Sequence, residues 1–141
     1  MHIEPRTPTV KNPPEQFAGD VWVEPIVRPH EDGQHATAAL VRFAPGARTA
    51  WHSHEKGQYL YITQGTARFG TRDGDVIEVQ PGQTLYTPPE QEHWHASTDD
   101  GFMEHIAFLE LGDDPSTATT WKEHVTDDDL RGTTTVDASN A

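Results

Sequence analysis

The feature that most limits what this chain can become is its punctuation, 11 glycines and 11 prolines in 141 residues. Many fall in turn-forming pairs: Pro45-Gly46, Asp73-Gly74, Pro81-Gly82 and Pro88-Pro89. Proline cannot donate a main-chain hydrogen bond, and glycine takes the turn conformations that other residues avoid. Breaks this frequent leave no room for a long helix, and what lies between them reads as strand. In Ala36–Phe43, Ala39, Val41 and Phe43 share one face while Leu40 and Arg42 share the other. Gln58–Gln64 puts Gln58, Leu60 and Ile62 opposite Tyr59 and Tyr61, and Gly101–Leu111 puts Met103, His105, Ala107 and Leu109 opposite Phe102, Ile106 and Phe108. Shorter runs at Thr66–Thr71, Asp75–Val79, Gln83–Thr87 and Glu92–Ser97 continue the series. The expected fold is all-β, a small antiparallel β-barrel whose closure hides strand edges.

The flanks read differently. Residues 1–19 hold four of the prolines and few apolar side chains, which suits an extended N-terminal arm. Residues 20–111 carry the barrel, opening with an edge strand or broken strand around Pro25. Residues 112–141 form a polar, acidic tail without period, in which Asp127–Leu130 is expected as one helical turn capped by Thr126, and Trp121 marks a point of docking onto the body.

Composition then removes whole classes of function. Asp and Glu outnumber Lys and Arg 23 to 10, a formal charge of -13 that repels nucleic acid and anionic membranes, so neither is an expected partner. With no cysteine, disulfides and thiolate metal sites are excluded, and a metal ion must be held by nitrogen and oxygen. No apolar run approaches the roughly 20 residues of a membrane span, and the N-terminus lacks the layout of a secretion signal. A soluble cytoplasmic protein is the expectation.

Nine histidines remain, and five of them fall in the central section. His52 and His54 share a face if extended, and Gln58 has the same parity beyond Gly57, which permits a tight turn back to the same space. Glu92–His95 (EHWH) repeats the arrangement with His93 and His95. Imidazoles with an amide oxygen suit a first-row divalent ion, and three or four protein ligands leave positions open for a small-molecule substrate. His105 shares the inward parity of the longest strand. His2, His30, His35 and His124 lack partners in the pattern and read as surface; Trp51 and Trp94, beside the ligands, read as packed on the outer wall or at an interface.

The spacing from Gly46 through His52, His54 and Gln58 to Gly65 resembles the first motif of the cupin superfamily, and Gly74-Asp75 through Pro81-Gly82 to Pro88–His93 resembles its second. The resemblance implies a jelly-roll barrel with His52, His54, Gln58 and His93 as metal ligands. Two positions depart from the common pattern: Gln58 stands where most cupins have Glu, and Glu90 replaces a glycine. The runs PGARTAWHSHEKGQYLY, HWH, EHIAFLE and WKEHVTDD are similar to small single-domain cupins that include bacterial manganese-dependent hydroxynitrile lyases, which carry Gln at this ligand position. That likeness implies a homodimer or homotetramer whose arm pairs with a neighbour's sheet, and manganese as the ion, with iron, zinc and nickel as the other candidates.

Together these features lead to a metal-dependent lyase that cleaves or forms cyanohydrins. A neutral amide ligand leaves the ion its full charge and so its Lewis acidity. His105, near an ordinary histidine pKa, is expected to move the substrate proton, and His95 to hold the leaving anion or a water. Ala39, Val41, Leu60, Met103, Ala107 and Leu109 are expected to line a small apolar pocket. Two other functions fit the same residues: a metal-dependent dioxygenase using O2, and a non-enzymatic cupin that binds a small ligand.

Overall fold

Where alternation between turns is strongest, strands form within a residue or two of the expected bounds. The computed structural model describes residues 1–137. In chain order the strands are β1 (Val10–Lys11), β2 (Phe17–Ala18), β3 (Val21–Val27), β4 (Ala36–Phe43), β5 (Arg48–Thr49), β6 (His52–His54) and β7 (Gln58–Gln64). There follow β8 (Ala67–Thr71), β9 (Asp75–Val79), β10 (Thr84–Thr87), β11 (His93–Ala96), β12 (Met103–Glu110), β13 (Thr119–Trp121) and β14 (Thr134–Asp137).

They make two sheets. One runs β1-β3-β4-β12-β7-β10; the other runs β13-β6-β11-β8-β9-β14, with β5 and β2 attached beside β11. Pairing is antiparallel apart from β14 on β9, and the two sheets pack as a jelly roll. Their facing sides bury Val21, Phe43, Leu60, Ile62, Phe69, Val79 and Met103 as one core. Pro25 sits where β3 shifts register against β4, the break its missing N–H requires. Within the chain the arm lies on the edge of the first sheet, Val10 and Lys11 pairing with Val23 and Trp22 of β3.

The tail docks and forms its helical turn as expected, and adds two strands that its sequence did not announce. It forms β13 beside β6, then a short helix α1 (Asp127–Arg131), then β14 along β9. The helix starts as its residues require, with Thr126 accepting from the Asp129 N–H and Asp129 accepting from the Thr126 N–H. Val125 and Leu130 close over Trp51, Val76 and Trp94 on the outer side of the second sheet. A sequence of threonines and aspartates shows no amphipathic period, yet main-chain pairing to exposed sheet edges needs none. Among the described residues no helix is long and apolar enough to cross a membrane.

Two turns aim the inward side chains. Gly57 has φ 76°, and a Cβ there would lie 2.6 Å from the Thr87 carbonyl oxygen, so the β6–β7 turn accepts no side chain. Glu90, before β11, has φ 66°, the left-handed region that favours glycine. Its N–H nevertheless donates to the His54 carbonyl at 2.9 Å, so the departure from the usual glycine does not loosen this turn.

Candidate metal centre

β6 and β11 are neighbours with His52 opposite His93 in register, which brings the two H-x-H runs face to face inside the barrel. The ligand nitrogens of His52, His54 and His93 lie within 4.8 Å of one another, and all three residues are buried. Each imidazole is fixed through Nδ1. His52 meets the Ala50 carbonyl at 2.9 Å, His93 the Gln91 carbonyl at 2.9 Å, and His54 the Thr119 hydroxyl at 3.0 Å. A carbonyl only accepts, so His52 and His93 carry their proton on Nδ1 and keep the Nε2 lone pair for the site.

Gln58 opens β7 with its amide at 6% exposure. Its Oε1 and the His54 Nε2 are both buried without a hydrogen-bond partner. Orphaned acceptors are costly in a protein interior, and two of them aimed from adjoining strands are what a cation would satisfy. Three imidazole nitrogens and an amide oxygen therefore fit one divalent ion. Electrostatics agree: burial holds His52 well below the ordinary histidine range and pushes His54 and His93 down to about 4, so all three are neutral at pH 7 with lone pairs free.

Behind the ligands runs a chain of imidazoles. His95 Nε2 is 3.0 Å from His93 Nε2, and His95 Nδ1 is 3.1 Å from His105 Nε2. Burial pushes His105 down to about 3, which corrects the expectation of a near-ordinary pKa: the strand that points it inward also removes it from water. His95 is likewise held well below its usual range by burial.

A cavity of about 370 Å³ opens over these groups. Ala39, Val41, Ala107 and Leu109 line it as expected. Leu60 and Met103 do not: they lie one step deeper along β7 and β12, at 0% and 1% exposure, packed into the core that closes the barrel's far end. Shared parity put them on the right face but carries no depth. Sequence reasoning missed Phe17, Val23, Thr119 and Trp121, which reach the cavity from the arm, β3 and the tail. Trp121 alone gave a signal, as a lone indole in a polar segment; it sits 4.7 Å, ring to ring, from His52 and 5.4 Å from Phe17.

A cupin domain model matches residues 39–108. An (R)-mandelonitrile lyase from Granulicella tundricola is 38% identical over 121 residues, 86% of this chain and 90% of that one. The chain belongs to the cupin family. A cupin-like protein from Thermotoga maritima superposes with TM-score 0.80 at 30% identity, covering 93% of this chain and 96% of the other. The polyketide cyclase RemF from Streptomyces resistomycificus, at TM-score 0.66 and 18% identity over 82% of this chain and 89% of its own, shares the fold. In this cupin the remaining histidines lie outside the barrel. His35 is half-buried and bonds the Leu111 carbonyl at 3.0 Å, while His124 is exposed. His2, Glu4 and His30 gather at the surface with ligand atoms within 4.8 Å, all three exposed.

Proposed function

We propose that this cupin is a metal-dependent hydroxynitrile lyase, splitting an aromatic or short aliphatic cyanohydrin into an aldehyde or ketone and hydrogen cyanide, or joining them. The observation that carries the reading is the buried set His52, His54, Gln58 and His93 beneath an apolar cavity, in a chain 38% identical to a protein named (R)-mandelonitrile lyase. When bound, the divalent ion supplies a Lewis acid that stabilises negative charge on the substrate oxygen. Manganese is the proposed ion, by likeness to the manganese-dependent members; iron, zinc and nickel suit the same donors.

The chain's own residues do the rest. Phe17, Val23, Val41 and Leu109 exclude water around the substrate's carbon skeleton. His93 Nε2 cannot serve a cation and accept from His95 at once, so with His93 as a ligand His95 Nε2 would be free to face the cavity that it lines. In cleavage His95, in the tautomer that donates Nδ1–H to His105 Nε2, takes the hydroxyl proton on Nε2, the C–C bond electrons leave with cyanide, the carbonyl forms, and the proton passes to cyanide. His105 Nε2, accepting from His95 Nδ1–H, fixes that ring in this tautomer. The proposal thus makes His95 the proton carrier and His105 its support. Oligomerisation belongs to the same proposal: Tyr59, Tyr61, Tyr86 and Phe108 stand exposed on adjoining strands of the six-stranded sheet, a face suited to a second copy.

The test is metal analysis of the purified protein followed by cleavage of racemic mandelonitrile. Cyanide release above the chelated control is expected, with His95→Ala lowering turnover by about 100-fold or more. Release equal to the metal-free control would sink the reading.

A further inference from the structure

The tail lies beyond the barrel strands, yet it touches two of the ligands. β13 runs beside β6 with Thr119 opposite His54 and Trp121 opposite His52, and both residues line the cavity. The three ligand histidines differ in what holds Nδ1. For His52 and His93 the partner is a main-chain carbonyl two residues upstream, Ala50 and Gln91, which no side-chain substitution removes. For His54 the hydrogen bond goes to a side chain, the Thr119 hydroxyl at 3.0 Å, supplied from 65 residues away in sequence, with the Ala118 backbone as a further, weaker neighbour of the ring.

We infer that Thr119 is a positioning residue of the metal centre: by accepting from His54 Nδ1–H it keeps the Nε2 lone pair turned to the ion, which makes the tail strand part of the site. The inference rests on the metal-site reading above. A hydroxyl can accept from Nδ1–H, whereas a valine methyl leaves that N–H unpaired in a buried setting. The ring then escapes by moving its proton to Nε2, the atom required for ligation, or by rotating away. Outer partners of ligand histidines carry about 10- to 100-fold in metal affinity elsewhere. Trp121, tilted at 34° against the His52 ring, limits the room for such rotation at the neighbouring ligand. Among the described residues His54 has no aromatic cover of that kind from the tail and leans on the hydroxyl.

The experiment measures manganese(II) and zinc(II) dissociation constants of the full chain, by the electron spin resonance of free manganese and by competition with a chromogenic chelator. A His30→Ala background keeps the exposed His2, Glu4 and His30 group from competing. Thr119→Val is expected to weaken binding by about tenfold or more, and Thr119→Ser to stay within about threefold of the parent. Thr120→Val, on the exposed side of the same strand, is expected to bind as the parent does. Thr119→Ala removes the hydroxyl without bulk and must weaken binding as valine does, which guards against a misfolded valine variant. Equal binding by parent and Thr119→Val overturns this inference alone. Equal weakening by Thr119→Val and Thr120→Val overturns it too, because loosened docking then explains both. A parent that retains neither ion overturns the metal-site reading and this inference with it.

Discussion

A single amide distinguishes this centre chemically. Gln58 brings an oxygen without a charge into a space where burial already keeps three imidazoles neutral, so a bound cation would keep its whole charge for the substrate. Gln58→Glu puts that to the test. With metal, the carboxylate is expected to tighten retention by about tenfold, about 1.4 kcal/mol, and to lower turnover by a similar factor because part of the Lewis acidity is cancelled. Without metal, the same carboxylate is buried beside unprotonated imidazoles and is expected to lower the melting temperature. Metal titration, cyanide release and thermal melts of the chelated protein check the three parts; unchanged turnover would mean the amide matters little. These residues were legible because their chemistry is tied to parity: two H-x-H runs and a glutamine in step with them face one way in any extended chain. The supports were not. The Ala50 and Gln91 carbonyls have no identity a sequence can advertise, and Thr119 is one threonine in a tail full of them.

Strand pairing explains what element-level reading could and could not find. β4, β7, β9 and β12 follow from alternation between turns, since a side chain's face is fixed by its position along an extended backbone. β13 and β14 have no such signal and exist because β6 and β9 offer unpaired edges. The outer layer that results is tight. On β8, Gly70 pairs with Trp94 of β11, and a Cβ at Gly70 would lie 2.2 Å from the indole. Arg72, two residues on, stacks on Trp51 at 3.9 Å and bridges Glu92 to Glu123 of the tail, while the Trp51 indole donates to Asp129 at 3.2 Å. Glycine at position 70 is therefore a matter of room for the indole. Gly70→Ala must push Trp94 outward against Val125 and Leu130, and it is expected to cost about 1–3 kcal/mol. A thermal melt measures this, together with the cyanide-release assay, because Trp94 lies between His93 and His95 in sequence. A melting temperature equal to the parent's would show the outer layer to be looser than its contacts imply.

For the whole molecule the consequence is a fold that gathers five neutral histidines at its centre: His52, His54, His93, His95 and His105, each at 5% exposure or less. The barrel must close before the site exists, because β6 and β11 are far apart in sequence, and closure strips water from every one of these rings. The sign of the resulting pH dependence follows from proton counting. Unfolded, each histidine takes up a proton as pH falls through about 6.5. Folded and metal-free, His54 and His93 resist until about 4 and His105 until about 3, with burial the main cause in each. Between those limits the unfolded chain binds more protons than the folded one, so stability falls as pH falls, by up to about 1.4 kcal/mol per pH unit for each such group. Above the ordinary histidine value these groups contribute no slope. The chelated protein is accordingly expected to keep its melting temperature from pH 8 to 7 and to lose it steeply from pH 6.5 to 5, before the carboxylates begin to titrate. With an ion bound the loss moves to lower pH, since protons must first displace it. Thermal melts across that range, with and without chelator, check both statements. A chelated protein with a flat profile from pH 7 to 5 would mean that the five rings are not held neutral in the folded state.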